Sequence, residues 1–135
     1  MDNSHNFNIV VAADFDGDGD TDLAKGFFSS NKLVLFENIN GNGTAWSKRI
    51  VANHSVFGVS AADIDGDGDM DLASASPLDS KLAWYENMDG KGTFGPQQVV
   101  FTNAIGAMDV LAIDIDGDGD MDLACAFYTG NIIAW

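Results

Sequence analysis

Three aspartate-rich segments of the sequence have the residue types and spacing of a calcium-binding loop. Residues 14–23 read DFDGDGDTDL, and residues 63–72 and 114–123 both read DIDGDGDMDL. Each segment has carboxylates at positions 1, 3, 5 and 9, and the glycine at position 6 permits the sharp bend that wraps an ion. Ca²⁺ takes about six to eight oxygen ligands, which these carboxylates and the main-chain carbonyl of position 7 would largely supply. The predicted metal ligands are Asp14, Asp16, Asp18, Asp20 and Asp22; Asp63, Asp65, Asp67, Asp69 and Asp71; and Asp114, Asp116, Asp118, Asp120 and Asp122.

Alternative readings of these segments fit less well. Without a cation, four neighbouring carboxylates would repel one another and raise one another's pKa, so a solvated Asp-Gly turn is disfavoured. An EF-hand needs flanking helices and a carboxylate at position 12, where this sequence has Lys25, Ser74 and Cys125. A flexible site made only of oxygen ligands favours Ca²⁺ over Mg²⁺ or Mn²⁺. We therefore expect about three Ca²⁺ ions, one per loop.

The segments that must position these loops repeat along the chain. The loops recur after 49 and 51 residues, and short apolar runs separated by Gly, Asn, Asp and Ser surround each of them. Such runs indicate successive antiparallel strands, and no stretch has sustained helical periodicity. Four strands in a unit of about 50 residues match one blade of a β-propeller.

The predicted fold is therefore all-β, with propeller-type blades of four-stranded antiparallel sheets and no significant helix. We assign residues 1–135 to a single repeat domain, with blade one at 9–52 and blade two at 58–101. The third blade, at 107–135, is incomplete because it lacks its fourth strand.

The loop pattern D-x-D-x-D-G-x-x-D followed by Leu-Ala resembles the calcium loop of FG-GAP repeats, which build the propeller of integrin α-subunits. The stretch from Trp84 to Phe94, WYENMDGKGTF, is similar to bacterial FG-GAP or VCBS-type repeats, and a Phe-Gly signature occurs once, at Phe57-Gly58. The resemblance implies an extracellular or cell-surface propeller with structural calcium. It also implies a role in adhesion or recognition, or as an accessory domain beside an enzyme.

Composition excludes several classes of function. Six Lys and Arg against 21 Asp and Glu, with a formal charge of −15, make nucleic acid an unsuitable partner. No apolar run is long enough for membrane insertion. No nucleophile–base motif is present, so we do not expect an enzyme. Cys125 is the single cysteine and lies in an apolar run, so we expect a buried thiol.

Two other pairs of residues recur at the repeat spacing. His5 and His54 are 49 residues apart, as are Glu37 and Glu86. Recurrence at one place in each unit favours a structural role over catalysis for both pairs.

We predict a calcium-binding extracellular scaffold that acts in adhesion or in self-assembly through head-to-tail packing of blades. The alternative is an accessory or carbohydrate-binding domain of a larger secreted enzyme or adhesin. A closed propeller usually has four to eight blades, so the expected partner is a second copy or further blades of a longer chain. A glycan or protein ligand also stays open, with Trp46, Trp84 and Trp135 as candidate sugar contacts, although packing between blades is the favoured role for these side chains.

Overall fold

The computed structural model describes residues 9–128 and 132–134, which form eleven strands in three antiparallel sheets. The first sheet contains β1 (Val10–Ala13), β2 (Asp22–Phe27), β3 (Lys32–Asn38) and β4 (Trp46–Ala52). The second contains β5 (Gly58–Ala62), β6 (Asp71–Ser76), β7 (Lys81–Tyr85) and β8 (Gln98–Thr102). The third contains β9 (Ala107–Ile113), β10 (Asp122–Phe127) and β11 (Ile132–Ala134).

The strands of each sheet follow their order in the chain, as in a propeller blade. No helix occurs in the part of the chain that the structure describes. The predicted all-β fold with two complete blades and one incomplete blade is therefore confirmed. We call the three sheets blade one, blade two and blade three. The division into one domain at the predicted boundaries stays a prediction, and His5 and Trp135 lie outside the described residues.

Blade two lies between the other two blades, and the composition of its strands reflects this. All six residues of β6, Asp71–Ser76, are buried, because both faces of the strand are covered. In β2 of blade one, buried and half-buried residues alternate, as expected for side chains that point to opposite faces of a sheet. The small side chains of β6 let the neighbouring blades approach closely.

Two apolar clusters hold the blades together. Between blades one and two, Leu33 and Leu35 pack with Leu72 and Tyr85, and Phe15 from the first aspartate loop joins them. Between blades two and three the cluster consists mainly of Ala73, Ala75, Leu82, Ala104, Ala107, Val110 and Cys125. Most of the core therefore lies between sheets.

Cys125 confirms the expectation of a buried thiol. Burial, with a smaller contribution from the charge of Asp109, raises the pKa of this thiol to about 11. The thiol is thus protonated at neutral pH and acts as a small apolar group in the contact between blades two and three.

A close backbone contact between blades explains the glycine of the Phe-Gly pair. A Cβ atom on Gly58 would lie 2.6 Å from the Cα atom of Asp109 and 2.9 Å from the carbonyl oxygen of Met108. These are main-chain atoms of blade three, which cannot move aside as a side chain can. Gly58 is therefore required by the packing of blade two on blade three.

Replacing Gly58 by alanine should force these blades apart. We expect Gly58→Ala to lower the free energy of unfolding by about 1–3 kcal/mol, the usual cost of overpacking, measured by urea denaturation. The control is Gly95→Ala, where the added Cβ would meet the flexible side chain of Met88 at 3.3 Å. Equal losses in the two variants would contradict this account of the interface.

Candidate metal centres

The three aspartate loops occupy the same place in the three blades. We call them loop one (residues 14–22), loop two (63–71) and loop three (114–122). Each connects the first two strands of its sheet, and its last aspartate is the first residue of the second strand. That aspartate pairs with the last residue of the preceding strand, as in Ala13 with Asp22. The hairpin therefore brings position 1 and position 9 of each loop close together.

The aspartate at position 1 organises each loop through two glycine amides. In loop one, the Oδ1 atom of Asp14 accepts a hydrogen bond from the amide of Gly17 at 2.8 Å, and its Oδ2 atom accepts one from Gly19 at 2.9 Å. Gly19 has a φ of 90°, which side-chain-bearing residues rarely adopt. The same pair of bonds recurs at Asp63 and at Asp114.

Three carboxylates come together in each loop, with ligand oxygens within 4.8 Å of one another. Positions 1 and 3 belong to all three groups, while the third member is position 5 in loop one and position 9 in loops two and three. The groups are Asp14, Asp16 and Asp18; Asp63, Asp65 and Asp71; and Asp114, Asp116 and Asp122. The remaining predicted side-chain ligands, Asp22, Asp67 and Asp118, lie in the same loops but outside these groups.

The side chains at position 7 point to a different neighbour. A Cβ atom on Gly41 would lie 2.3 Å from a carboxylate oxygen of Asp20, and one on Gly90 would lie 2.6 Å from a carboxylate oxygen of Asp69. These carboxylates therefore lie against the turn that connects the third and fourth strands of the same blade. The main-chain carbonyl of position 7 stays the predicted ligand there, including at Asp120.

In blades one and two, the aspartate at position 9 is buried and ties its loop to the end of the third strand. In blade one, Asp22 accepts hydrogen bonds from the amides of Phe15 at 3.0 Å and Asn38 at 2.8 Å. In blade two, Asp71 accepts them from Ile64 at 2.9 Å and Asn87 at 2.8 Å. This carboxylate is thus held in a fixed orientation by main-chain donors.

The crowding of carboxylates affects their protonation. Burial raises the pKa of Asp71, and the charges of Asp65 and Asp67 add to this, whereas the hydrogen bonds from Asn87 and Ile64 oppose it. Burial also raises the pKa of Asp16, and the nearby charges of Asp22 and Asp18 contribute. The loops therefore concentrate negative charge that a divalent cation would neutralise.

Sequence reasoning missed the roles of Asn38 and Asn87. Both lie in the repeated pattern Glu-Asn-x-x-Gly-x-Gly, 49 residues apart, and this recurrence was the available signal. Besides the bonds to position 9, the side-chain oxygen of each asparagine accepts a hydrogen bond from the second glycine of its own turn, Gly43 or Gly92.

The other recurring residues have structural contacts. Glu37 accepts hydrogen bonds from Ser47 and Arg49, both at 2.8 Å. His54 lies in the segment between blades one and two. Its Nε2 atom forms a hydrogen bond with the hydroxyl of Tyr85, and its Nδ1 atom lies 3.5 Å from a carboxylate oxygen of Asp79. These contacts fit the structural roles expected for Glu37 and His54.

Propeller-type blades with an aspartate-rich loop between the first two strands define the class of protein. A family described as FG-GAP-like repeat matches residues 14–74 and 66–125, so each match runs from one aspartate loop to the next. The chain belongs to the FG-GAP-like repeat family, which confirms the resemblance seen in the sequence. A search of curated proteins gave no match.

Family membership carries general expectations. FG-GAP-like repeats are generally structural or recognition modules rather than enzymes, are typical of extracellular proteins and often bind calcium. Among the described residues, no helix has the length and apolar character needed to cross a membrane.

Proposed function

We propose that this chain is a calcium-binding propeller module that serves as an extracellular structural and recognition scaffold, with one Ca²⁺ in each of its three aspartate loops. One observation carries the proposal. In three separate loops, the same glycine amides orient the position 1 carboxylate, and three carboxylates converge to within 4.8 Å.

The donor set suits a hard cation. All the converging groups are carboxylate oxygens, which Ca²⁺ prefers. Asp14 uses one hydrogen bond per oxygen for the glycine amides, and each oxygen keeps a further lone pair for a metal. Bound Ca²⁺ would neutralise the mutual repulsion of the carboxylates, and three such ions would offset six units of the formal charge of −15.

The chain's own residues would turn ion binding into stability of the blades. Position 1 follows the first strand, and position 9 begins the second. In blades one and two, the carboxylate at position 9 also accepts a hydrogen bond from the amide at the end of the third strand. Fixing both aspartates therefore holds the ends of three strands in one arrangement. Calcium-binding modules outside cells typically have dissociation constants of about 10⁻⁴–10⁻³ M, and we expect affinities in this range for the three loops.

Removing calcium should destabilise the protein. We expect EDTA to lower the melting temperature by at least about 5 °C relative to millimolar CaCl₂, because a ligand that binds only the folded state stabilises it by mass action. Native mass spectrometry should show about three bound ions. The proposal fails if EDTA changes neither the melting temperature nor the metal content.

A matched pair of substitutions tests the assignment of the loops. Asp67→Asn removes one predicted ligand charge, and we expect it to cost one bound ion. Glu86→Gln removes one charge of the same sign outside the loops, from a residue whose carboxylate accepts a hydrogen bond from Gln98 at 3.4 Å, and should keep all ions. Equal metal content in the two variants would contradict the assignment.

The outer face of blade one has the properties of a surface that binds a partner. Ile50 is 54% exposed on this face. The ammonium group of Lys25 lies 4.5 Å from the ring centre of Phe27, and that of Lys48 lies 5.3 Å from the ring centre of Phe36. The face is thus apolar with two positive charges.

The outer face of blade three has the opposite charge. Leu111 is 53% exposed on β9 and, with Asp109 and the small residues Ala124 and Ala126, lines a shallow apolar depression. Its small residues correspond in the repeat to Ala73 and Ala75, which pack in the contact between blades two and three.

Both faces are apolar and they carry opposite charges, Lys25 and Lys48 on one and Asp109 on the other, so the partner we propose is a second copy of the chain. Blade one of one copy would pack on blade three of the next in a head-to-tail contact that repeats the interfaces within the chain. Such a contact closes into a ring when the rotation fits and forms a filament when it does not.

Charge reversal tests this self-assembly. In millimolar CaCl₂ we expect the mass measured by sedimentation to rise above that of a monomer as concentration increases. Lys48→Glu reverses a positive charge on the outer face of blade one and makes that face less complementary to the outer face of blade three, so it should raise the concentration needed for assembly at least about tenfold. Lys91→Glu makes the same charge change away from this face and should leave assembly unchanged. A monomer at every concentration, or equal effects of the two variants, would contradict the proposal.

A further inference from the structure

The turn that follows β7 in blade two packs on loop one of blade one. The Nδ2 atom of Asn87 donates a hydrogen bond to the carbonyl oxygen of Phe15 at 2.8 Å. A Cβ atom on Gly17 would lie 3.2 Å from the carbonyl oxygen of Gly90. The ring of Phe15 packs edge to face on Phe94, with ring centres 6.0 Å apart. Position 2 of loop one is therefore covered by the neighbouring blade, which contacts one side of the loop.

The same asparagine belongs to the hydrogen-bond network of loop two. Its main-chain amide donates to Asp71 at 2.8 Å, and its Nδ2 atom also donates to the carbonyl oxygen of Met70 at 3.3 Å. Asn87 is 1% exposed, so water does not compete for these bonds. The side chain of this buried residue thus joins position 2 of loop one to position 8 of loop two, and its main-chain amide holds position 9 of loop two.

We propose that Asn87 is a positioning residue that couples the calcium sites of loops one and two, so that an ion in one loop raises the affinity of the other. This inference rests on the proposed function, since it requires that both loops bind calcium. Phe15 lies between the proposed ligands Asp14 and Asp16. An ion that orders these two aspartates would therefore also fix the carbonyl of Phe15, which accepts the hydrogen bond from Asn87. A fixed Asn87 in turn orients Asp71. Such coupling is reciprocal by thermodynamic linkage.

Blade one contains a matched residue without this contact. Asn38 makes the equivalent bonds within its own blade, to Asp22 at 2.8 Å, to the carbonyl oxygen of Thr21 at 3.3 Å and from Gly43 at 3.0 Å. Within the part of the chain that the structure describes, its Nδ2 atom bonds no other blade. Asn38 is therefore the natural control for Asn87.

Loop three provides the internal reference. Among the described residues, no hydrogen bond joins loop three to loop one or loop two. The hydrogen bond from the Ala112 amide to the Ser60 hydroxyl joins blades two and three, but it connects strands rather than loops. General loss of stability would weaken calcium binding in all three loops alike. Loss of the proposed coupling would weaken loops one and two and spare loop three.

The experiment is a calcium titration of the full ¹⁵N-labelled chain, monitored by NMR. The amide signals of Gly19, Gly68 and Gly119 report on calcium binding by loops one, two and three. Asp67→Asn weakens loop two directly. In the otherwise unchanged protein, we expect this substitution to weaken calcium binding by loop one at least about fivefold and by loop three less than about twofold.

The asparagine variants then locate the coupling. In an Asn87→Asp background, which removes the donor and keeps the acceptor, Asp67→Asn should no longer affect loop one. In an Asn38→Asp background, which adds the same charge, the effect of Asp67→Asn on loop one should persist.

Three results would overturn the inference. Loop one could be insensitive to Asp67→Asn, or Asn38→Asp could abolish the coupling as Asn87→Asp does. Alternatively, the amides of Gly19 and Gly68 could fail to respond to CaCl₂ in the unchanged protein, and this result alone would also refute the proposed function. If Asn87→Asp does not fold in excess calcium, Asn87→Ser, which shortens the side chain without adding charge, takes its place and should likewise abolish the effect of Asp67→Asn on loop one.

Discussion

The structure depends on how each aspartate loop accommodates its own negative charge. Main-chain amides compensate part of this charge. The carboxylate at position 1 accepts hydrogen bonds from two glycine amides. The carboxylate at position 9 accepts one from the amide of position 2 and, in blades one and two, one from the end of the third strand. Three carboxylates of each loop nevertheless have oxygens within 4.8 Å of one another. The proposed cation between them would turn a repulsive arrangement into one that holds strand ends together.

Each aspartate loop also contributes a side chain to the apolar contacts between blades, so the proposed metal binding would be linked to the packing of the blades. Position 2 of each loop carries a large apolar residue, and its burial follows the cover given by the next blade. Phe15 is 1% exposed beneath blade two, Ile64 packs against the second apolar cluster, and Ile115 is 42% exposed on the outer side of blade three. In blades one and two, the loop thus presents its position 2 side chain to the following blade. In the proposed head-to-tail assembly, Ile115 would make the same contact with the next copy.

The features that follow from local spacing could be predicted from the sequence. The Asp-Gly alternation gives the loops, the period of about 50 residues gives the blades, and the small residues of β6 indicate a sheet covered on both faces. Contacts that depend on the placement of one blade against another could not be predicted. The bond from Asn87 to Phe15 spans 72 residues, and the need for glycine at position 58 depends on the backbone of Asp109. The orientation of the Asp20 carboxylate toward Gly41 likewise depends on a turn that the loop pattern does not describe.

Anomalous diffraction from crystals grown in millimolar CaCl₂ tests the central claim most directly, because it locates each cation independently of stability or assembly. The account predicts one peak in each aspartate loop, about 2.3–2.6 Å from carboxylate oxygens of positions 1 and 3 and from the carbonyl oxygen of position 7. A map with no peak in any of the three loops would contradict it.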